Sequence, residues 1–362
     1  MEKKMPNATL HDVAKRARVS LSTASRVLSG ADYPVSPRLR ERVVSASKEL
    51  NYIPNIFGKM LKSNMSEAIG IIVPSLQNPF YNQVIFGIES AATQSGHEIR
   101  LFSSHRSVAQ ERKNIMTLLH NHIMALISLS IDSNADTLKN YISYGGRVAL
   151  LEADFMLEQA IYADTDCFTA GRLAAEHLLG LGHRRIAFLT SPLTKSFRLK
   201  ILEGVKSTLV RAGYALDEKD IFVAEAERES DTGMYEFETG RQLAERFLER
   251  KSEYTAVITI NDMVAFGVIQ VLTQNGIAIP DNLSVMGFDN ITYSEMISPS
   301  LTTVQLPSSN MGFTACQMLI AQMEAGQSDL SGMSFQFPCT LFARRSTSSP
   351  FHEENMTLCP PG

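Results

Sequence analysis

The chain has 362 residues, 44% of them hydrophobic, which is enough to bury a small module and one or two larger lobes. Its net charge of -4 is unevenly spread: residues 1–66 hold 12 Lys and Arg against 5 Asp and Glu, and the remainder holds 22 against 33. No apolar run reaches the length of about 18 residues that a membrane-spanning helix needs, and a basic head on an acidic body indicates a polyanionic partner for the head alone.

The four cysteines predict free thiols rather than a metal centre or a disulfide framework. They lie far apart, at Cys167, Cys316, Cys339 and Cys359, and no pair has the spacing of zinc ligands. A reducing compartment is the expected environment for such a chain. The first ten residues, MEKKMPNATL, lack the apolar core of a signal peptide, so we expect a soluble cytoplasmic protein without a bound cofactor or metal.

Residues 9–28, TLHDVAKRARVSLSTASRVL, predict a helix, a tight turn and a second helix. Ala14 is small enough to let the two helices approach closely, and Val19 seals the turn. Ala24 and Val27 face back onto the first helix. The side chains left on the outer surface of the second helix are polar or basic: Ser22, Thr23, Ser25 and Arg26. That composition is typical of a recognition helix that lies in the major groove of DNA.

A third helix and a short basic segment follow. Ser36 suits an N-cap and Pro37 suits the first helical position, and apolar residues then recur at helical spacing. The segment 55–62, NIFGKMLK, is short and contains Gly58, so it would form a poor helix in water on its own. We expect this segment to need a partner in order to fold.

From residue 68 onwards, short apolar runs alternate with longer helical patterns. The predicted strands are 68–74, 99–104, 124–130, 147–153, 186–191, 256–261 and 283–289, and the predicted helices include 80–95, 167–181, 198–212, 232–250, 262–275 and 309–325. Continuous apolar strands separated by helices indicate parallel sheets covered on both faces. About 290 residues of this pattern exceed one comfortable core, so we expect two α/β lobes. The chain is expected to cross between them near 161–166, and again near 290 and 320.

These features together resemble the LacI/GalR family of bacterial repressors over nearly the whole chain. The matching stretches are TLHDVAKRARVS, TASRVL, LNYIPN with the following L-K, IGIIVPSLQNPFY, AGRLAAEHLLGLGHRRIAFL, NDMVAFGV, IPDNLSVMGFDN and SPSLTTVQLP. The resemblance implies a homodimer with an N-terminal all-α helix-turn-helix head, a hinge helix, and a two-lobed α/β effector domain of parallel sheets, like that of periplasmic sugar-binding proteins. We place the DNA-binding domain at 1–54, the hinge helix and linker at 55–66, the effector-binding and dimerisation domain at 67–346, and a loose tail at 347–362.

By this resemblance, Leu21, Ser22 and Arg26 face base edges of double-stranded operator DNA. Arg26 suits guanine, because its guanidinium can donate two hydrogen bonds to O6 and N7. The alternative for Arg26 is a surface arginine without base contact, and for Leu21 and Ser22 it is that they only pack or cap the helix. The residues better placed for phosphates, which fix position without reading sequence, are Thr9, Ser20, Thr23 and Ser25.

In this family the hinge segment inserts a leucine into the minor groove, and Leu61 holds that place, nine residues after Tyr52. Such a wedge kinks the duplex at a cost of a few kcal/mol, which added protein–DNA contact must offset. Asn55 and Lys59 would then meet the backbone or the minor-groove edge, and the alternative for Leu61 is ordinary helix packing. Because the segment is only marginally stable as an isolated helix, the dimer and the DNA must order it together. An effector that moves the lobes can therefore separate the two hinge segments and lower the affinity for DNA.

Two positions of the head depart from the family pattern. Arg18 stands at the turn position that usually holds Gly or Asn, and a left-handed backbone there would cost roughly 1 kcal/mol. The pair Ser29-Gly30 replaces the usual Asn-Gly, which removes one common polar contact with DNA.

Effector-binding residues are expected at the C-terminal ends of parallel strands, where the two lobes face each other. Phe80 and Tyr81 follow the first such strand, and an aromatic ring there can stack on a sugar; the alternative is that both begin a core helix. Asn261 and Asp289 follow strands of the second lobe and suit ligand hydroxyls, whereas Asp262 is expected to cap the next helix.

Three further residues are candidates for this cleft. Asp166 either lines the cleft or caps its helix, and His105, beside Arg106, is either a polar cleft group or part of a solvated loop. The family clamps ligand hydroxyls with an arginine at the position that Ile201 occupies here. Arg198 remains a candidate, although the helix phase predicts that it faces away from the cleft.

The leading functional hypothesis is a sequence-specific DNA-binding repressor, controlled by a small polar metabolite such as a sugar that binds between the lobes. An enzyme is a second hypothesis, but the chain has no G-x-S-x-G elbow, Walker A loop, G-x-G-x-x-G after a strand or H-E-x-x-H. A solute-binding transport protein without a DNA role is a third, and the basic head and the expected lack of an export signal argue against it.

We predict that Leu61→Ala weakens operator binding while the thermal unfolding of the chain stays nearly unchanged, because a wedge residue acts on bent DNA. Mobility-shift titrations and thermal unfolding of the same preparations measure the two effects. A loss of thermal stability in proportion to the loss of operator affinity would contradict the wedge role.

Overall fold

A computed structural model describes residues 8–28, 35–50, 66–225, 234–324 and 332–350 of the chain. The chain divides into two compact units, residues 1–66 and 67–362. Within the described ranges, no helix is both long enough and apolar enough to cross a membrane.

The first unit contains three helices, as the sequence predicts. They are α1 (Leu10–Ala17), α2 (Leu21–Leu28) and α3 (Pro37–Glu49). Their common core is built from small and β-branched residues, namely Val13, Ala14, Ala17, Ala24, Val27, Val43 and Ala46. An ion pair between Arg16 and Glu49 (2.6 Å) and a hydrogen bond from Arg42 to the Ala17 carbonyl (2.5 Å) hold α3 against α1. Ser36 and Pro37 begin α3 as expected, although the Ser36 side chain makes no capping bond.

The turn between α1 and α2 has a left-handed backbone at Arg18, whose φ is 50° and ψ is 52°. This conformation lets the Val19 amide donate to the Ala14 carbonyl (3.0 Å), which closes the turn and partly buries Val19. The strain of roughly 1 kcal/mol at a residue with a Cβ is therefore offset by hydrogen bonding of the last α1 carbonyls.

The predicted hinge segment 55–62, with Asn55, Lys59 and Leu61, lies outside the described residues. The pair Ser29-Gly30 also lies outside them. The roles assigned to them from the sequence stay predictions.

The second unit contains two lobes, each with a six-stranded sheet. The first sheet has the order β11-β5-β4-β3-β1-β2, formed by β1 (Ser66–Val73), β2 (Ile99–Ser103), β3 (Ile123–Ser128), β4 (Arg147–Leu151), β5 (Ile161–Thr165) and β11 (Ser334–Phe337). Its helices are α4 (Pro79–Gln94), α5 (Val108–His120), α6 (Asp136–Ser143) and α12 (Ser308–Glu324). Residues Ile69 and Ile71 of β1 join one core and Ile72 joins another, because successive side chains point to opposite faces of a covered sheet.

The second sheet has the order β12-β10-β9-β8-β6-β7. It is formed by β6 (Ile186–Thr190), β7 (Ile221–Val223), β8 (Ala256–Thr259), β9 (Ser284–Phe288), β10 (Thr302–Gln305) and β12 (Thr340–Phe342). The helices of this lobe are α7 (Cys167–Leu181), α8 (Ser196–Arg211), α9 (Tyr235–Leu248), α10 (Asp262–Gln274) and the short α11 (Tyr293–Met296). The strand pairs of this sheet are parallel apart from β10 and β12, which are antiparallel.

All seven strands predicted from the sequence are present, with their ends within about two residues of the predicted ones. Five others were missed, namely β5, β7, β10, β11 and β12. β7 and β12 have three residues each, and β11 alternates exposed and half-buried side chains. Short or half-exposed strands lack the continuous apolar run on which the prediction relied.

The chain crosses between the lobes three times. The first crossing follows β5 at Asp166, inside the predicted range, since β5 belongs to the first sheet and α7 packs on α8 and β10. The crossings predicted near 290 and 320 were wrong. The chain stays in the second sheet through β10, crosses at Leu306 and Pro307 to α12, and returns at Pro338 and Cys339 between β11 and β12.

The start of the predicted tail is bound to the second lobe, so the expectation of a loose segment was wrong for residues 347–350. Ser346 donates to the Val285 carbonyl (2.6 Å), and Ser348 accepts from His183 through its carbonyl (2.8 Å). Thr347 lies within hydrogen-bonding distance of Thr302 (2.8 Å). Residues 351–362 lie outside the described part of the chain.

Helix α7 packs directly on the backbone of α8 through two glycines. A Cβ added at Gly171 would lie 2.0 Å from the Ile201 carbonyl oxygen, and one added at Gly204 would lie 2.1 Å from the Phe168 carbonyl oxygen. Such contacts leave no room for a methyl group. The glycines therefore fix how deeply α8, whose first turn reaches the cleft between the lobes, sits against its neighbour.

We predict that Gly171→Ala lowers the free energy of unfolding by about 1–3 kcal/mol or more, because a backbone carbonyl cannot yield as a side chain can. Gly180→Ala is the matched control on the same helix: it meets open space and should raise stability by about 0.5–1 kcal/mol. Urea unfolding of both variants measures the difference, and equal stabilities would show that the helices can separate without cost.

Candidate DNA-reading surface and effector cleft

Helix α2 presents one buried and one exposed face. Ala24 and Val27 are buried in the core of the head, whereas Ser22, Ser25 and Arg26 are exposed. Leu21 is 49% exposed, so one large apolar side chain also lies on the outer surface of α2. The arrangement leaves a polar and basic surface with one apolar side chain at its start, and DNA contacts at these residues stay a prediction.

Thr9 and Ser20 anchor the starts of the two helices. Thr9 and Asp12 form a capping box, in which the Thr9 hydroxyl donates to the Asp12 carboxylate (2.6 Å) and that bond lowers the pKa of Asp12. The Ser20 hydroxyl accepts from the Thr23 amide (3.1 Å). Both helix N-termini are therefore fixed before any DNA is bound, and the phosphate contacts predicted for Thr9, Ser20, Thr23 and Ser25 stay predictions.

The cleft between the lobes is lined by residues at strand ends and helix starts. Two small adjoining cavities, of about 30 and 40 Å³, share Tyr81, Glu152, Phe197 and Arg198 as lining residues. The larger of them is also lined by Asn78, Phe80, Ile201, Glu236, Ile260, Asn261, Asp289 and Leu306. Parallel strands place their carboxyl ends at one edge, so residues from both lobes converge here.

The structure brings five of the seven predicted effector residues together. Phe80, Tyr81, Arg198, Asn261 and Asp289 all line the larger cavity. Phe80 is 5% exposed, and its ring packs edge-on against that of Tyr81, with centroids 5.5 Å apart. Both aromatics thus begin a core helix and border the cleft at once, so the two alternatives drawn from the sequence are compatible.

The expectation that Arg198 faces away from the cleft was wrong. With 3.6 residues per turn, positions three apart lie on the same face of a helix, so Arg198 and Ile201 both border the cavity. Arg198 is 7% exposed, donates to the Pro192 carbonyl (2.8 Å) and lies over the Phe197 ring at 5.2 Å. The chain therefore has an arginine in the cleft one helical turn before the position at which the family pattern expects it.

His105 and Asp166 do not line either cavity. His105 is exposed, and it is the neighbouring Arg106 that enters the cleft, where it borders the smaller cavity. Asp166 accepts from the Thr169 amide (3.0 Å) and caps α7, which is the second of its two predicted roles. The geometry of the two cavities therefore does not support the prediction that His105 and Asp166 contact the effector.

The roles assigned to Asn261 and Asp262 also need correction. Asn261 is the N-cap of α10, since its side-chain oxygen accepts from the Val264 amide (2.8 Å). Asp262 is fully buried instead, and accepts from the Ser294 hydroxyl and the Thr303 hydroxyl, both at 2.6 Å. Asn261 can therefore offer only the rest of its amide to a ligand, and Asp262 is a structural residue of the second lobe.

Polar bonds join the two lobes across the cleft. Glu236 of α9 in the second lobe accepts from the Asn78 amide (2.8 Å) and forms an ion pair with Arg106, both from the first lobe. Lys195 of the second lobe pairs with Asp154 (3.1 Å) of the first. No sequence pattern predicts these pairs, because the two partners of each pair lie dozens of residues apart in the chain.

Two carboxyls that border the larger cavity are weakly hydrogen-bonded by the described residues. The Glu152 Oε1 atom is buried and has no partner among them. Asp289 is 6% exposed, and no hydrogen bond from the described residues lowers the pKa of its carboxyl. Burial raises the pKa of Glu152 to about 7, with the Asp164 carboxylate adding to the rise. Burial also raises the pKa of Asp289 well above its ordinary value, and neighbouring carboxylates, Glu152 among them, add to it.

Comparison with known families identifies both units. Residues 9–55 match the family described as bacterial regulatory proteins, lacI family, and residues 66–345 match the periplasmic binding proteins and sugar binding domain of LacI family. The chain belongs to the LacI family. Its members are transcriptional regulators rather than enzymes, and this LacI-family chain is a DNA-binding regulator with a domain for a small effector.

Characterised relatives cover nearly the whole of this LacI-family chain. It is 31% identical to the ribose operon repressor of Escherichia coli (strain K12), over 86% of this chain and 92% of that one. It is 29% identical to the ribose operon repressor of Haemophilus influenzae, over 92% and 97%. Among solved structures, a lac repressor dimer bound to operator and the anti-inducer ONPF matches with a TM-score of 0.79 and 27% identity, over 94% of this chain and 99% of that one.

We predict that Arg26→Ala weakens binding to the preferred operator by about 1–3 kcal/mol, roughly 5- to 150-fold, and relaxes the preference at one base pair. Arg40→Ala, which removes the same charge from an exposed position of α3, is the control. Selection of binding sites from random DNA measures the preference, and an unchanged consensus for Arg26→Ala would rule out base reading by this side chain.

Proposed function

We propose that this chain acts in the cytoplasm as a homodimeric repressor, which binds operator DNA through the exposed face of α2 and responds to a small polar effector in the cleft between its lobes. The effector class that the cleft suits is a sugar or sugar derivative. The observation that carries the proposal is the combination, in one chain, of a helix-turn-helix head and an interlobe cleft with converging polar and aromatic side chains.

The head supports DNA binding through its surface composition. Its recognition helix exposes Ser22, Ser25 and Arg26, its first 66 residues are strongly basic, and its hydrophobic residues are used in the core. A basic surface with a projecting arginine supplies both the phosphate attraction and the base-edge donors that operator recognition needs. A solute-binding role without DNA would leave these features without a purpose.

The cleft supports a polar, ring-shaped effector. Phe80, Tyr81 and Phe197 provide aromatic surface, and Arg198, Asn261 and Asp289 provide polar groups at one cavity. Small-molecule sites combine apolar walls with a few convergent polar groups in this way. Among solved structures, a LacI-family regulator from Enterococcus faecium with bound ribose has a TM-score of 0.68 and 25% identity to this chain.

Arg198 takes the place of the clamp arginine in this proposal. The position that usually holds the clamp is Ile201, which is fully buried and apolar, while Arg198 reaches the same cavity from one turn earlier. Its guanidinium carries several N–H donors, one of which bonds the Pro192 carbonyl, and it borders the cavity in which the effector would bind.

Effector binding and operator binding are coupled through the lobes. Cavities of about 30 and 40 Å³ hold a water molecule but not a sugar, so the lobes must separate for the effector to enter. Separation breaks the Arg106–Glu236 and Lys195–Asp154 pairs, and the effector must offset that loss with its own contacts. An effector with different affinity for the two lobe arrangements thereby shifts the operator affinity of the dimer.

The experiment that tests this function is operator binding by the full chain at rising salt. Binding sites are first selected from random DNA, and mobility-shift titrations then follow the affinity for the selected site. The logarithm of the association constant should fall linearly with the logarithm of salt concentration, with a slope of about -0.9 for each phosphate neutralised. A salt-insensitive complex, or no complex with any selected site, would contradict the proposal.

A second arm tests the effector. Thermal unfolding of the full chain is followed with a panel of sugars and sugar derivatives, and each compound that raises the unfolding temperature is added to the operator titration. We expect a compound that stabilises the lobes to change operator affinity as well, because one linkage governs both. A compound that stabilises the lobes and leaves operator affinity unchanged would contradict the coupling.

A further inference from the structure

One cavity of the cleft contains two carboxylates that reach it from opposite lobes. Glu152 follows β4 of the first lobe, and Asp289 follows β9 of the second. Their backbone φ angles are 53° and 104°, in the left-handed region that residues with a Cβ rarely adopt. Strain of this kind persists where the surrounding structure imposes it, and here it sets the direction of both side chains.

Among the described residues, both carboxyls differ from the buried acids Glu236 and Asp262 in their hydrogen bonding. Glu236 is bonded by Asn78 and Arg106, and Asp262 is bonded by two hydroxyls and the Ile291 amide. The buried Glu152 Oε1 atom has no partner among the described residues, and no hydrogen bond from them lowers the pKa of the Asp289 carboxyl. Acceptors that face one cavity without donors indicate that a ligand supplies them.

Among the described residues that line this cavity, acids outnumber cations. Glu152, Glu236 and Asp289 are acidic and Arg198 is basic. Glu236 pairs with Arg106, which leaves Arg198 opposite the two other carboxyls. Counted over these described residues alone, there is one more negative than positive charge when both carboxyls are ionised.

We infer that the effector carries a protonated amino group, which lies between Glu152 and Asp289 and donates a hydrogen bond to each. The inference rests on the proposed function, and it narrows the effector class to an aminated sugar or a similar aminated polyol. A primary ammonium has three donors and one positive charge, which satisfies two acceptors and removes the excess charge together.

A neutral sugar fits the same cavity less well. Its hydroxyls can donate to both carboxylates, but the two like charges then remain close together in a site shielded from water, where their repulsion is strong. The alternative is that one carboxyl takes up a proton, which it can then donate to a neutral ligand. The two cases differ in the direction in which affinity changes with pH.

The direction in which effector affinity changes with pH depends on the charge state of Glu152, because burial raises the pKa of this carboxyl to about 7. At pH 5.5 the carboxyl is largely protonated, and a cation must displace that proton in order to bind, so affinity for an amine rises as the pH goes from 5.5 to 7.5. A neutral ligand that uses the protonated form loses affinity over the same range. The described charged and titratable groups around the two carboxyls are Tyr81, Arg106, Asp154, Asp164, Cys167, Lys195, Arg198, Glu236, Asp262 and Arg344.

The test compares aminated sugars with their neutral parents on the full chain. The probes are hexosamines and 6-amino-6-deoxyhexoses, each paired with the parent hexose, and binding is measured by thermal shift and calorimetry at low salt. We expect at least one aminated sugar to bind about tenfold or more tightly than its parent at pH 7.5. Its dissociation constant should be about tenfold weaker at pH 5.5.

Glu152→Gln gives the decisive variant, because it keeps the shape and removes the charge. The aminated sugar should lose at least tenfold in affinity and most of its pH dependence, while the variant folds with unchanged or higher thermal stability. Glu158→Gln, which changes an exposed acid of the same connection, is the control and should bind like the parent chain. Equal losses in both variants would assign the effect to net charge and overturn the inference.

A panel in which no aminated sugar exceeds its neutral parent overturns the inference, whether or not the parents bind. So does an affinity for the aminated sugar that falls as the pH rises. Operator binding by the same preparations separates this outcome from failure of the proposed function: a chain that binds selected DNA and prefers neutral sugars remains a repressor with a different effector, whereas a chain that binds no DNA refutes the function itself.

Discussion

The contact that governs the cleft is the one that Glu236 makes with the opposite lobe. Its carboxylate accepts from Asn78 and pairs with Arg106, while Lys195 and Asp154 form a second link between the lobes. Buried charge pairs such as Arg106–Glu236 are costly to break one partner at a time, because each leaves an uncompensated charge behind. Opening of the cleft therefore costs free energy, and contacts with a bound ligand are what can offset that cost.

The same electrostatics divides the acids of the cleft into two kinds. Asp262 and Glu236 receive hydrogen bonds from several donors and maintain the structure. Within the described part of the chain, no hydrogen bond lowers the pKa of Glu152 or Asp289, and burial raises both. Perturbed carboxyls without partners concentrate at functional sites, because an arrangement that is unfavourable in the free protein becomes favourable when the ligand is bound. The likeness to the family identifies where the cleft lies. The hydrogen-bond partners of each acid in the cleft then indicate whether that acid maintains the structure or is available to a ligand.

The two lobes were predicted well from the sequence, because continuous apolar strands such as 186–190 that alternate with helical patterns have a strong local signature. Individual cleft residues were predicted less well. The predicted orientation of Arg198 was wrong because positions 198 and 201 are separated by nearly one full helical turn and therefore share a face. The cap of α10 was assigned to Asp262 instead of Asn261, because either residue type can cap a helix and only the contacts of each side chain distinguish them. Glu152 and Glu236 gave no signal, since their meaning depends on neighbours from distant parts of the chain.

The glycine contact between α7 and α8 has a consequence for how the molecule can move. The backbones of these helices touch at Gly171 and Gly204, which prevents α7 and α8 from sliding past each other. This part of the second lobe therefore moves as a rigid unit. Relative motion of the lobes then bends the chain mainly at the three connections between them, at 166, 306–307 and 338–339. These three segments move together, and their stiffness sets how often the cleft opens.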